Sequence, residues 1–353
     1  MDQPWQKRAK PPSTDEINAK AEARLIFMED ELKKRGIHIA IGAEQEFIVL
    51  DKRRKIWTHS INHYRLTNDL QLQFPLLERV YNEELSEGEY EAVFSSVEKV
   101  LGMDLAAPRR LADKEQTIPK NLGFYPSVEI ARQIVTLRRT LSSHLNQFAK
   151  GLEASFRTVT NDNGNTTAGM HINSSCFNQD GKNLFFNKRL GVHSPLALQV
   201  ADIQKQLQEE GTILYAPKPE SYDRFGKRYT APRNFMVGYD KADNTLTLRY
   251  GYKEKTYRIE DRMAGADANP YLVMLASVGA IYSTIIAKEK GHTYPIDSSS
   301  PSISIKGDDT LSVARNKAYE RFSRSELWQE IAGEDLYRDL LAYMKPCIMN
   351  QVG

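Results

Sequence analysis

Cysteine is scarce: Cys176 and Cys347 in 353 residues cannot build a disulfide framework, which points to a reduced compartment. Neither charge sign dominates. A net charge of +2 leaves no electrostatic footprint for a nucleic acid or a membrane surface, so neither is expected as a partner. Residues 1–10 are polar and basic, without the apolar run of a secretory signal, and cytoplasmic location is the expectation. The most apolar stretch, residues 271–287, is interrupted by Ser277, Gly279, Ser283 and Thr284 and reads as a core helix rather than a membrane span. Neither G-x-x-x-x-G-K-[ST] nor G-x-G-x-x-G occurs, which excludes P-loop and dinucleotide-type phosphate binding. Internal repeats and low-complexity tracts are also missing.

What is present is an ordinary globular composition, 41% hydrophobic and 27% charged, in a chain long enough to bury a large core. Residues 1–15, with Pro4, Pro11 and Pro12, read as a flexible arm, and residues 16–353 as one domain. A helix starts at Thr14 or Asp15 and stops at Gly36, followed by a strand to Leu50. Residues 51–80 show no usable period. A turn at Glu87-Gly88 precedes another strand, and residues 103–123 read as a charged loop. Ile130, Ile134, Leu137, Leu141, Leu145 and Phe148 then recur at helical spacing behind Pro126-Ser127. The pattern continues with a polar turn at 161–165, a strand at 169–176, a helix at 195–210 and a Pro-, Tyr- and Arg-rich loop at 211–234. Two paired strands at 245–250 and 256–262 precede helices at 270–288, 311–322 and 334–344. Strands charged on one face and interleaved with long helices predict an α+β domain.

The chemistry concentrates on those strand faces. Glu44 and Glu46 flank Gln45 in an apolar strand, so a period of two puts both carboxylates on one side. Solvated glutamates at a sheet edge would give the same pattern. Buried together, they need a cation. Glu83 and Glu91 bracket a Gly turn that can bring them to one point. His171 shares a strand face with Asn173, although a lone histidine is more often structural. Arg258, Glu260 and Arg262 alternate along one face, a carboxylate between two guanidiniums; in isolation such a pattern is usually a surface ladder. Past Gly265, Asp267 or Asn269 can cap a helix that has Pro270 in its first turn. Five glutamates and one histidine suit hard divalent ions, and the arginines suit phosphate. Cys176, near His171, reads as a small buried hydrophobe rather than a thiol nucleophile.

In order and spacing these residues resemble the catalytic domain of the glutamine synthetase family. The signatures are Gly42-Ala-Glu44-Gln-Glu46-Phe47, Glu83 with Gly88-Glu-Tyr-Glu91, and Asp162-Asn-Gly164 leading to Gly169-Met-His171. Further on come Ser221-Tyr-Asp-Arg224, Thr247-Leu-Arg249, and Arg258-Ile-Glu260-Asp-Arg262 with Gly265-Ala-Asp-Ala-Asn-Pro270. The resemblance implies a curved, mainly antiparallel sheet or half-barrel packed with helices. It implies ATP and two or three Mg2+ or Mn2+ ions as cofactors, with Glu46, Glu83 and Glu91 holding one metal and Glu44, His171 and Glu260 another. Arg224 and Arg262, with Gly169, are implied to hold a glutamate-like carboxylate substrate. Arg249 and Arg258, with Asn173 and Ser175, are implied to face the transferred phosphate and the nucleotide, and Arg224, Arg249 and Arg262 to be catalytic. The implied reaction runs through an acyl phosphate, typically of the γ-carboxylate of glutamate, which an amine then converts to an amide.

The departures bear on the amine. Only 43 residues precede Glu44 in this sequence, so the family's N-terminal β-grasp domain is expected to be missing, which puts its large rings, though not a homo-oligomer, in question. The family's ammonium-site glutamate falls on Thr230, and the arginine expected before Arg249 falls on Asn244. Asn173 stands where many members carry a second histidine. The expectation is therefore a ligase joining glutamate to an organic amine. True glutamine synthesis with ammonium, a non-ligating homologue that binds metal and nucleotide, and a carboxylate kinase are the alternatives.

Overall fold

The central strand β1 (Ile37–Leu50) alternates strictly between two environments. Ile41, Ala43, Phe47 and Val49 join the main hydrophobic core beneath the sheet, whereas Ile48 and Leu50 join a small second cluster with Ala168 and Ala266 above it. The computed structural model describes residues 11–57, 61–82, 88–95, 125–157, 159–161, 164–166, 168–187, 189–222, 225, 232, 234–238, 246–251, 257–291 and 311–345.

Around β1 the chain builds an open eight-stranded sheet from β2 (Leu77–Asn82), β3 (Glu89–Ser95), β4 (Glu153–Ser155), β7 (Met170–Asn178), β10 (Asn234–Gly238), β11 (Leu246–Gly251) and β12 (Arg258–Asp261). The order is β10-β11-β12-β7-β1-β3-β2, with β4 also on β1, and every pair except β10–β11 is antiparallel. Two hairpins lie apart: β5 (Val159–Asn161) with β6 (Gly164–Thr166), and β8 (Phe186–Asn187) with β9 (Val192–His193). The predicted strand pair at 245–262 is thus the antiparallel β11–β12 ladder, and the polar turn at 161–165 lies in the β5–β6 hairpin.

Helices α1 (Thr14–Lys34), α3 (Ser127–Leu145), α4 (Pro195–Glu210) and α7 (Pro270–Glu289) form the layer under the sheet, with α1, α3 and α4 all packed on α7. α7 is long and apolar enough to cross a membrane by composition, but 89% of its apolar window is buried inside the protein. It is the core helix expected. Asn269 rather than Asp267 caps it, Oδ1 accepting from Tyr271 N at 3.0 Å. Asp267 instead accepts a hydrogen bond from Ser221 Oγ at 2.9 Å. α1 begins under a Ser13 cap, because Glu16 at its third position closes a capping box; the helix starts inside the stretch read as an arm. Short helices α2 (His63–Gln71), α5 (Thr212–Tyr215), α6 (Pro219–Tyr222) and α9 (Glu326–Ala332) join the expected α8 (Leu311–Phe322) and α10 (Glu334–Met344). The sequence pattern predicts neither the short strands β4, β5, β6, β8, β9 and β10 nor these small helices.

The β8–β9 hairpin clamps the residue that leads into β12. Tyr257 lies 4.5 Å from the Phe186 ring and 5.0 Å from the His193 ring, and its hydroxyl donates to Gly191 O at 2.7 Å. Burial pushes His193 down to about 4, against a smaller upward pull from a hydrogen bond with the Arg258 backbone. The folded state therefore refuses a proton that the unfolded chain accepts near 6.5. The pair is silent above that pH, and stability falls as pH drops from about 6.5 towards 4, by at most about 1.4 kcal/mol per pH unit. Urea midpoints across that window should slope more steeply for the wild type than for His193→Phe. Parallel slopes would show that His193 carries none of the acid sensitivity.

Candidate functional site

The face of the sheet away from the helices collects the polar residues. Register pairs Glu44 with His171, Glu46 with Glu91, Glu260 with Asn173, and Arg249 with Glu260. Residues directly opposite in an antiparallel ladder share a face, so five strands deliver these positions to one surface. The same alternation sends Gln45, Met170, Ile259 and Asp261 to the helical side. Glu46, Glu91, His171, Glu260 and Arg262 are all buried.

Glu44, His171 and Glu260 form the tightest group, each offering a ligand atom within 4.8 Å of the others. His171 Nδ1 lies 3.1 Å from Glu44 Oε2, and its Nε2 lies 3.5 Å from Glu46 Oε1 without making a hydrogen bond. Asn173 Nδ2 donates to Glu44 Oε1 at 3.0 Å, while its Oδ1 accepts from Arg258 Nε at 2.6 Å. The amide thus links a carboxylate to a guanidinium. Arg262 Nη1 donates to Glu260 Oε1 at 2.7 Å. In sequence Glu260 alternates with two arginines; Arg262 bonds to it, and Arg258 Nε reaches one strand over to Asn173. The Gly169 amide donates to Glu46 Oε2, and the Tyr81 hydroxyl to Glu91 Oε1.

Burial alone would raise Glu44, but the His171 hydrogen bond and the His171 and Arg258 charges outweigh it, and the carboxyl is held below its usual range despite Glu260 nearby. Glu44 is thereby kept ionised. For Arg262, burial works against the charge, yet Glu260, Glu46 and Glu44 raise it. An anionic pocket holding ionised carboxylates and a buried imidazole nitrogen without a hydrogen bond fits a hard divalent ion. Glu46 and Glu91, opposite each other in register, need the same compensation, because directly opposed like charges repel.

Of the other predicted site residues, Glu83 and Arg224 lie outside the described residues, as do Thr230, Asn244, residues 1–10 of the arm and the charged loop at 103–123. Arg249 is placed by its strand register, opposite Glu260. The Ser175 hydroxyl donates to Tyr257 O at 2.9 Å. Cys176 is buried in the core and burial pushes its thiol up, as a small hydrophobe requires.

Sequence reasoning missed the support behind the strands. Asp261, on the back of β12, accepts from Gln204 Nε2 at 3.1 Å, Gln208 Nε2 at 2.8 Å and Met263 N at 3.0 Å. Burial raises it to about 6 against these donors. Gln45 is fully buried, and its partner Arg138 sits on α3. A charged residue within the apolar stripe Ile134–Leu137–Leu141 was the available signal.

The family described as "Glutamine synthetase, catalytic domain" matches residues 23–346. Gamma-glutamylputrescine synthetase PuuA of Escherichia coli K12 is 35% identical over 114 residues, 32% of this chain and 24% of that protein. Gamma-glutamylethanolamide synthetase GlnA4 of Streptomyces coelicolor is 26% identical over 275 residues, 71% and 52% of the two chains. The chain spans about half the length, or less, of these relatives. GmaS solved without ligand gives a TM-score of 0.64 at 15% identity, covering 94% of this chain and 73% of that one. Plasmodium falciparum glutamine synthetase gives 0.62 at 15% identity, covering 94% and 76%. Those two likenesses are of fold. With residues 23–346 matched by that family's model, the protein belongs to the glutamine synthetase catalytic-domain family.

Proposed function

We propose that the chain is an ATP-dependent carboxylate–amine ligase that couples glutamate, or a glutamyl-like acid, to an organic amine. The observation that carries this reading is the Glu44–His171–Glu260 cluster, half-buried at Glu44 and buried at the other two, with Arg262 bonded to Glu260. The acceptor class is supported by relatives named for putrescine and ethanolamide products, and by Thr230 at the position of the ammonium-site glutamate.

Glu44, His171 and Glu260 would hold one divalent ion, and Glu46 and Glu91 with Glu83 a second. Bound there, the ions supply positive charge for the triphosphate. The chain's own part is to arrange charge. Asn173 fixes the distance between Glu44 and Arg258, keeping a guanidinium beside the cluster for phosphate oxygens. Arg262, held by Glu260, presents a cation to the substrate carboxylate side. In the first step a carboxylate oxygen attacks the γ-phosphorus and the bond to ADP breaks. In the second, the amine nitrogen attacks the acyl carbon, the carbon–oxygen bond breaks, and inorganic phosphate and one proton leave. A homo-oligomer is part of this proposal.

ADP release should be measured with Mg2+, ATP and glutamate, alone and with ammonium or a panel of amines, and products read by mass spectrometry. Turnover with an amine but not ammonium is the expected result. Turnover with ammonium would replace the acceptor assignment by glutamine synthesis. ADP formation without any amine would indicate a kinase. Nucleotide binding with no ADP under any combination would overturn ligation.

A further inference from the structure

The carboxylate cluster has a cation behind it as well as in front. On the helical side of β1, Arg138 of α3 directs its fork at three separate segments. Nε and Nη2 donate to Gln45 Oε1 at 3.0 and 2.6 Å, and Nη1 donates to Ala268 O at 2.7 Å. Nη2 also lies 3.4 Å from Met170 Sδ. Gln45 passes the restraint on, its Nε2 donating to Glu46 O at 2.8 Å and reaching Ala266 O at 3.4 Å.

Each of these contacts adjoins part of the site. Gln45 lies between Glu44 and Glu46, Met170 precedes His171, and residues 266 and 268 belong to the loop that carries the chain from Glu260 and Arg262 into α7. All of Arg138's hydrogen bonds go to uncharged acceptors, and none of its partners among the described residues is a carboxylate. Burial accordingly lowers the guanidinium to about 9, with the charge of Asp267 opposing the fall. An arginine stays cationic even so. A fork with five donors in one plane can fix three acceptors at set angles, which a lysine ammonium cannot. Ile134, Leu137 and Leu141 beside it are fully buried hydrocarbons, and its one aromatic contact among the described residues is the Phe156 ring, 5.8 Å from the guanidinium carbon.

We propose that Arg138 is a positioning residue, a brace behind the sheet that sets the spacing of Glu44, Glu46, His171 and Glu260 for divalent-ion binding by holding Gln45, Met170 and Ala268 together. It touches neither the substrate nor the ion, and it rests on the metal-binding reading of the front face.

Mn2+ affinity, measured by calorimetry on the full chain without nucleotide, tests the brace independently of turnover. Arg138→Met should weaken Mn2+ binding tenfold or more. Arg138→Lys, which keeps the charge but can serve only part of the acceptor set, should fall between it and wild type. Leu137→Ala, on the preceding residue of the same helix, removes packing without touching Gln45 and should lose stability while keeping wild-type Mn2+ affinity. Should Arg138→Met fail to fold, Arg138→Lys decides: a several-fold loss supports the brace and wild-type affinity overturns it. Equal affinity in Arg138→Met and Leu137→Ala also overturns it. Wild-type protein that binds no Mn2+ would overturn the metal reading, and the brace with it, whereas Mn2+ binding unaltered by Arg138 substitution would remove the brace alone.

Discussion

Glu260→Ala is expected to lose metal-dependent ADP formation by about two to three orders of magnitude, the scale of removing one preorganised electrostatic element from a reaction site. Two consequences combine in this substitution. The Glu44–His171–Glu260 cluster loses a ligand, and Arg262 loses the carboxylate bonded to Nη1 at 2.7 Å. Breaking a buried ion pair typically costs 3–5 kcal/mol, and about 3 kcal/mol is expected here. The low end applies because Glu46 and Glu44 still act on Arg262, and because Glu44 is relieved of a repelling neighbour. Glu260→Gln separates the two effects. Its amide oxygen can still accept from Arg262, so most of the stability should return while ADP formation does not. The measurement is ADP release alongside urea unfolding with and without Mn2+. Wild-type turnover in Glu260→Ala would remove Glu260 from the site, and Mn2+ stabilisation equal to wild type would remove it as a ligand.

Trp328→Ala should be the most destabilising single truncation on the helical side, by about 3–5 kcal/mol. Trp328 is fully buried, its Nε1 donates to Leu207 O at 2.9 Å, and its ring centroid lies 5.7 Å from that of Phe322. Truncation leaves a cavity under α4 and removes one of two donors from Leu207 O, which keeps the Gly211 amide at 2.8 Å. Gly211 gives an independent check. A Cβ there would sit 2.3 Å from Trp328 Nε1 and 2.6 Å from Cε2, so Gly211→Ala alone must displace the indole. In the Trp328→Ala background that clash is gone. The cost of Gly211→Ala should then drop by about 1 kcal/mol or more, a coupling read from a double-mutant cycle of urea midpoints. Additive costs would show that the two residues do not share this space. Only part of the penalty should vanish, because Leu207 O stays 2.7 Å from the added methyl.

The longer elements were legible because one environment dominates each of their faces. β1, α4 and α7 follow their apolar periods to within a residue or two of the observed ends. Residues 51–80 resisted reading for physical reasons. α2 buries Leu66 and Leu70 but leaves Tyr64 exposed, as is Leu72 at its C-cap, which scrambles the stripe. In β2 a register shift between Leu77 and Arg79 breaks the period of two. The β5–β6 and β8–β9 hairpins have strands of two or three residues, too short to show any period. On the front face, alternation announced Glu44, Glu46, Glu260 and His171. The direction of Arg258 depended on Asn173, 85 residues away in sequence, and no local pattern encodes that bond. Asp261 looked like one more strand charge until α4 supplied its two glutamine donors.

The strict alternation along β1 also acts as an error check during folding. A slip of one residue against β3 or β7 would turn Glu44 and Glu46 into the hydrocarbon beneath the sheet and lift Phe47 and Val49 out of it. Unpaired carboxylates in that layer are costly enough to make the slipped pairing uncompetitive. The acidic pair therefore proofreads the alignment of the three central strands whether or not the chain ever turns over a substrate.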